Sequence, residues 1–432
     1  TLPWAPGAAS RWWLHHSLVA LDAQLRQHYG VGLSVYQGAA LDFIPALVRQ
    51  HQCTRVAWNR CYEPAAIARD TALKATLQAA GVTVYSHNSA LLFEPWQLAT
   101  QSGQPYKVFT PFWRAAQALP VPTPQPIPTQ AQLRAGEGAT AIDALNLLPR
   151  LSWADGFAAH WQPGEAGAQQ RWSTFRAQGL TGYAAHRDRP DLPHTSRLSP
   201  HLHWGEISPR QLWHESAASP STEKFRSELA WREFAHHLLY HFPTLPEANF
   251  QPRFAEFPWA DNPAHLQAWQ RGQTGYPIVD AGLQELWATG YMHNRVRMIV
   301  GSFLVKHLRL HWRHGEDWFW DTLVDANLAN NAASWQWVAG SGADAAPYFR
   351  IFNPMLQAAK FDPHGTYIHT HLPVLKNLPA PHVFAPWAAP KDTLLRAGIV
   401  LGQTYPHPLV AHDEARKKAL AAFATLGQGA AS

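Results

Sequence analysis

Residues 119–130 read LPVPTPQPIPTQ, and this stretch divides the chain. Every second residue from Pro120 to Pro128 is proline. Each proline fixes φ and removes a backbone donor, so the segment suits neither a helix interior nor a sheet and reads as an extended connector. The patterns on its two sides differ. Before it, VGLSVYQG (31–38), TRVAWNR (54–60) and VTVYSHN (82–88) each resemble a buried strand ending in a turn, and intervening segments such as 65–80 have helical periodicity. That alternation predicts βαβ units and a parallel sheet, a Rossmann-like α/β domain. No GxGxxG follows any of these runs, so the dinucleotide fingerprint is absent. After the connector the strand pattern stops, and amphipathic segments at 223–241, 280–286 and 291–312 predict an all-α domain. The expected organisation is an α/β domain over 1–118, a connector over 119–150 and a helical domain over 151–432.

Composition narrows the function classes. A chain of 432 residues accommodates two cores, and 21 tryptophans against a charged fraction of 15% leave many aromatic surfaces to place. Cys53 and Cys61 stand in no CxxC or Cys/His cluster, which argues against a disulfide framework or a structural zinc and for a reduced, cytoplasmic protein. A formal charge of +5 favours an anionic partner such as nucleic acid, with 25 histidines making the field depend on pH. The longest apolar run, 298–305, is too short to span a bilayer. The pairs His201/His203, His236/His237 and His369/His371 come with no HExxH motif, and neither a GxSxG elbow nor a Walker A loop occurs.

Four constellations carry chemistry. Glu228, Trp231, Arg232 and Ala235 fall at i, i+3, i+4 and i+7 and share one helical face, so a core-facing Trp231 carries two charges inward, where they need partners. Asn294, Arg297 and Met298 share the face of another helix, with Arg295 beside them; a guanidinium there suits a phosphate or a carboxylate, and Asp325 is the expected partner of Arg297. Thr195, Ser196, Arg197 and Ser199 cluster before a helix start, which suits a phosphate but equally an ordinary cap. Finally, 329–354, ANNAASWQWVAGSGADAAPYFRIFNP, mixes tryptophans, asparagines and an arginine in a way too polar for core and too aromatic for a loop. Trp335 and Trp337 there suit stacking on something flat, although packing is the commoner use of such a pair.

Five motifs in order, HTSRLSPHLHWGEISPRQLW (194–213), ELAWREF (228–234), NPAHLQAWQRGQTGYPIVDAG (262–282), YMHNRVRMIVGSFLVKHL (291–308) and 329–354, resemble the photolyase/cryptochrome family, most closely class I photolyases of cyclobutane pyrimidine dimers. ASRWWLHHSLVALDAQLR (9–26) is similar to the helix after that family's second strand, and the family's opening strand is not found before Thr1. The resemblance implies light-driven repair of pyrimidine dimers by electron transfer from excited FADH⁻, with a cryptochrome-like blue-light sensor as the alternative. It implies that FAD is held by Tyr183, Thr195, Ser196, Arg197, Leu198, Ser199, Glu228, Arg232, Asn294, Arg297, Asp325, Ala326, Asn327 and Asn331. Asn331 would face flavin N5, and Asn327 stands where the family commonly has a second acid. Glu228, Trp231, Asn294, Met298 and Trp337 would act on the flipped dimer, and Arg295 and Arg350 would bind the flanking phosphates. Trp335, Trp312 and Trp259 would pass electrons from the surface to the flavin. Ala65 and Ala66 replace the asparagine and glutamate of folate-binding relatives, which weakens a folate antenna and leaves a deazaflavin, a flavin or none. The implied partner is dimer-containing DNA, met by a cytoplasmic or nucleoid-associated monomer with no membrane association.

Overall fold

The computed structural model describes residues 4–128, 131–344 and 349–426. Helix α1, Ala8–Tyr29, ends at Gly30 in the left-handed region (φ 72°), where a residue without Cβ closes the last turn. It packs on the helical half: the Ala8 amide donates to Asp321 at 2.8 Å, Trp13 Nε1 donates to Glu206 at 3.0 Å, and Trp12 and Trp13 join Phe157, Trp161, Tyr291 and Val324 in one core. Gly7 admits this approach, because a Cβ there would lie 2.2 Å from the Trp320 carbonyl.

Strands β1 (Arg55–Asn59) and β2 (Thr83–His87) pair in parallel, Arg55 opposite Thr83 and Asn59 opposite His87. Two further helices, α2 (Ala40–Gln50) and the crossover α3 (Pro64–Ala79), cover one face of the sheet. Val56, Trp58 and Val84 pack there on Val48, Leu73 and Leu77, while Tyr85 and His87 stand exposed on the other face. Buried strands were expected, and the period-two pattern is instead half-exposed. The first expected strand, 31–38, reduces to a single antiparallel bridge between Val35 and Thr140. Its polar groups are engaged elsewhere: the Leu33 amide donates to Asp22 at 2.7 Å and Ser34 Oγ accepts from the Gly136 amide.

The proline segment runs extended past α1, where Tyr29 donates to the Pro128 carbonyl at 2.7 Å. Beyond it the chain is helical. The central helix, Pro220–His241, starts at a Ser219/Thr222 capping box and buries Phe225, Leu229, Phe234 and Leu238. On its other side Glu233 accepts from the Leu92 and Phe93 amides at 2.8 and 3.2 Å, clamping the two halves of the chain together.

The amphipathic run 291–312 is not one helix. An α-helix, Asn294–Ser302, widens into a π-helical turn, Phe303–His307, and breaks before Trp312 opens the next helix, Trp312–Thr322. Arg309 takes a left-handed φ of 53° in the break, and the His311 ring caps the new helix by accepting from the Arg313 amide. The last helix at the site, Leu328–Ala339, is capped by Asn327 and ends at Gly340 (φ 92°). No described helix is long and apolar enough to cross a membrane.

Candidate functional site

Four segments enclose a cavity of about 590 Å³: the loop into the short helix Ser199–His203, the Pro220–His241 helix, the Asn294–Ser302 helix and the Leu328–Ala339 helix. All fourteen residues expected to hold a cofactor line it, as do Trp231, Met298, Trp337, Arg295 and Trp335. Trp312, Trp259 and Arg350 stand outside, Arg350 bordering a small neighbouring hollow with Lys306 and Trp337.

The anticipated ion pair is present. Arg297 donates to both oxygens of Asp325 at 3.1 and 2.8 Å, and Ser199 Oγ donates to the same carboxylate at 2.6 Å. Burial works against the Arg297 charge, yet Asp325 and Tyr291 hold its pKa above the ordinary arginine value. Arg197 sits at φ 50°, a turn of the kind that gathers backbone amides around an anion.

Several expected contacts are engaged within the protein. The Glu228 carboxylate is ion-paired with Arg187 and, at 2.8 Å, with Lys224, one turn back on its own helix. Arg295 is paired with Asp188 at 2.8 Å and lies over the Phe361 ring. Arg232 borders the cavity but donates to the Ala90 carbonyl at 2.6 Å, so it also holds the N-terminal half in place. Trp231 stacks on Phe109, with centroids 3.8 Å apart and planes 8° from parallel, and Trp337 Nε1 donates to the Asp344 carbonyl. Asn327 uses its side chain on its own helix and on two histidines.

Trp335 is buried against Phe319, and a Cβ on Gly315 would lie 2.1 Å from its ring, so only glycine fits there. Gly315 is on the helix that Trp312 opens. Trp312 is fully buried with Nε1 donating to Asn249 at 2.9 Å, and the His311 ring lies 5.5 Å from it and 5.0 Å from Trp259, which is half-buried. Glu316, on the same helix, was missed by the sequence reading. Its backbone carbonyl accepts from Asn331 Nδ2 at 2.9 Å, and burial pushes its carboxyl up to about 9. Arg187, Phe109 and His203 were also missed, since each lies outside the helical stripes that mark the site, and so was Lys224, although it sits one turn before Glu228 on the same helix.

Residues 225–425 match the family model described as the FAD binding domain of DNA photolyase, and residues 2–129 match that of DNA photolyase. The chain belongs to the photolyase/cryptochrome family. It is 48% identical to the deoxyribodipyrimidine photo-lyase of Agrobacterium fabrum, over 97% of this chain and 89% of that one. The crystal structure of a bacterial class III photolyase from Agrobacterium tumefaciens superposes with a TM-score of 0.94 at 48% identity, covering 98% of this chain and 89% of that one. The class I likeness expected from the motifs is thus corrected toward class III. Cryptochrome-1 of Arabidopsis thaliana is 35% identical over 98% of this chain and 64% of its own length.

The photolyase cavity fits FAD, the family's cofactor. Its volume falls in the range of small-molecule sites, and it offers a paired cation, Arg297, beside hydroxyl and amide groups. Among the described residues no group of three or more His, Cys, Asp or Glu side chains is placed to hold a metal ion.

Proposed function

We propose that the protein repairs pyrimidine dimers in DNA in the light, using FAD held in this cavity, with residues 1–118 as an α/β unit, 119–150 as connector and 151–432 as catalytic unit. One observation carries the reading. Glu228 and Trp231 from one helix, Asn294 and Met298 from a second and Trp337 from a third line the same cavity as the cofactor residues.

When bound, FAD supplies the light-driven electron that splits the dimer and takes it back. The chain's residues do the rest. Trp231 and Trp337 offer ring faces to the pyrimidine dimer once it has flipped out of the stack, Trp231 being braced from behind by Phe109. Met298 adds an apolar contact, and Asn294 offers amide hydrogen bonds to the base edges. Glu228 turns from Arg187 and Lys224 toward those edges as the cations are drawn to DNA phosphates. Arg295, released from Asp188, and Arg350 take the phosphates flanking the lesion. Arg297, tied to Asp325, supplies fixed positive charge beside the flavin. Trp335, Trp312 and Trp259 restore its reduced form. The protein works as a monomer in the cytoplasm.

The 35% identity to cryptochrome-1 favours a second reading, a blue-light sensor acting through a protein partner. Equilibrium binding separates the two. The FAD-loaded protein should bind a DNA duplex with one thymine dimer at least tenfold more tightly than the undamaged duplex, and Trp337→Ala should erase most of the difference. Equal binding of the two duplexes would favour the sensor.

A further inference from the structure

Asn327 stands between two histidines, and its orientation is fixed. Its Oδ1 accepts from the backbone amide of Asn330 at 3.1 Å as the cap of the Leu328–Ala339 helix. An inverted amide would set two donors against each other, so Nδ2 is the atom that faces His203 Nδ1 and His236 Nε2, each at 3.4 Å. An amide nitrogen donates and never accepts, so each of those ring nitrogens carries a lone pair. His236 is then neutral with its proton on Nδ1, which donates to the Arg232 carbonyl at 2.8 Å. His203 is neutral with its proton on Nε2. Burial and the neighbouring Arg232 guanidinium lower the pKa values of the two rings, His203 to about 4 and His236 to about 3, Asp325 opposing the shift at His203. His203 lines the cavity, and Nδ1 is occupied, which leaves the Nε2 proton for whatever fills that space.

We propose that His203 is a further cofactor-binding residue, whose Nε2–H donates to an acceptor oxygen of FAD, and that Asn327 is the positioning residue that sets this polarity. The inference rests on the reading of the cavity as an FAD site. A carboxylate at 327 would reverse the arrangement. It accepts only, so His203 Nδ1 would carry the proton and Nε2 would meet the cofactor oxygen with a lone pair. Asparagine therefore determines whether the ring presents a donor or an acceptor.

The test pairs nitrogen NMR with FAD binding. In FAD-loaded protein labelled with ¹⁵N-histidine at pH 7, His203 should show a protonated Nε2 and an unprotonated Nδ1, assigned by its loss in His203→Gln. Asn327→Asp keeps a good helix cap and should exchange the two signals while weakening FAD binding about tenfold, measured by flavin fluorescence. His203→Ala should weaken it similarly, and His203→Gln, which restores an amide donor, should recover most of the loss. A protonated Nδ1 on His203 in the wild type, or unchanged FAD affinity in both His203→Ala and Asn327→Asp, would overturn the proposal. Failure of dimer repair with these signals intact would instead count against the proposed function alone.

Discussion

At the residue scale burial sets the charge of several groups in and behind the cavity wall. Glu316 is the sharpest case. Folded, its carboxyl keeps its proton up to about 9; unfolded, it ionises above its ordinary 4.5. Between those values the folded state binds the extra proton, so this residue's contribution to stability is greatest in acid and falls as pH rises through the window. Glu316→Gln has no such slope. The stability of wild type relative to Glu316→Gln should therefore fall by up to about 1.4 kcal/mol per pH unit between pH 5 and 8.5. Urea titrations at each pH check this, and parallel curves would contradict it. Trp312 permits a kinetic test. Trp312→Phe should slow photoreduction of oxidised FAD at least tenfold while sparing repair by chemically reduced protein, followed by flavin absorbance under blue light. That Glu228, Trp231 and Arg297 face one cavity was legible in the sequence, because charged or polar residues shared a helical face with a tryptophan or an apolar residue. The partners of Glu228 were only partly so. Lys224 lies one turn away, but Arg187 comes from a separate segment and no periodicity connects the two.

At the scale of elements, helix contacts decide where the tryptophans sit. Gly315 lets the Trp312–Thr322 helix press on the Trp335 ring. Gly315→Ala gains about 1 kcal/mol of helix propensity but drives a methyl into an aromatic ring, an overpacking that costs about 1–3 kcal/mol. The net change should be destabilising, read by denaturant midpoint, with a shifted Trp335 fluorescence; a more stable variant would show that the ring moves freely. The sequence reading of 291–312 as one segment failed for a physical reason. Apolar periodicity continues through the π turn and across Arg309, because residues on both sides of the break face the same core. Periodicity reports burial, and here burial outlasts the helix. The strand at 31–38 failed differently: its composition suits a strand, but its Leu33 amide is taken by the Asp22 side chain and its Val35 carbonyl by the Thr140 amide, so neither is left for the sheet.

At the scale of the whole molecule, Glu233 joins the two halves of the chain. Its carboxylate takes the Leu92 and Phe93 amides beside Arg232, and burial raises its pKa to about 7 despite that cation. Glu233→Ala would leave two buried amides and a buried guanidinium short of a partner, so it should lower stability by about 2–4 kcal/mol. If urea unfolding were unchanged, the clamp would be incidental. The change in fold class was legible from the proline segment and the patterns around it, whereas the packing of α1 on the helical half was not, since contacts between distant segments leave no local period. The central claim is that one cavity brings light-absorbing cofactor and damaged base together. It is tested most directly by illuminating reduced, FAD-loaded protein with an oligothymidylate containing dimers and following absorbance near the thymine band. The account predicts recovery in blue light, none in the dark, and loss of at least nine-tenths of the rate in a Trp231→Ala, Trp337→Ala double variant that still binds FAD. No recovery in light from protein carrying reduced flavin would contradict it.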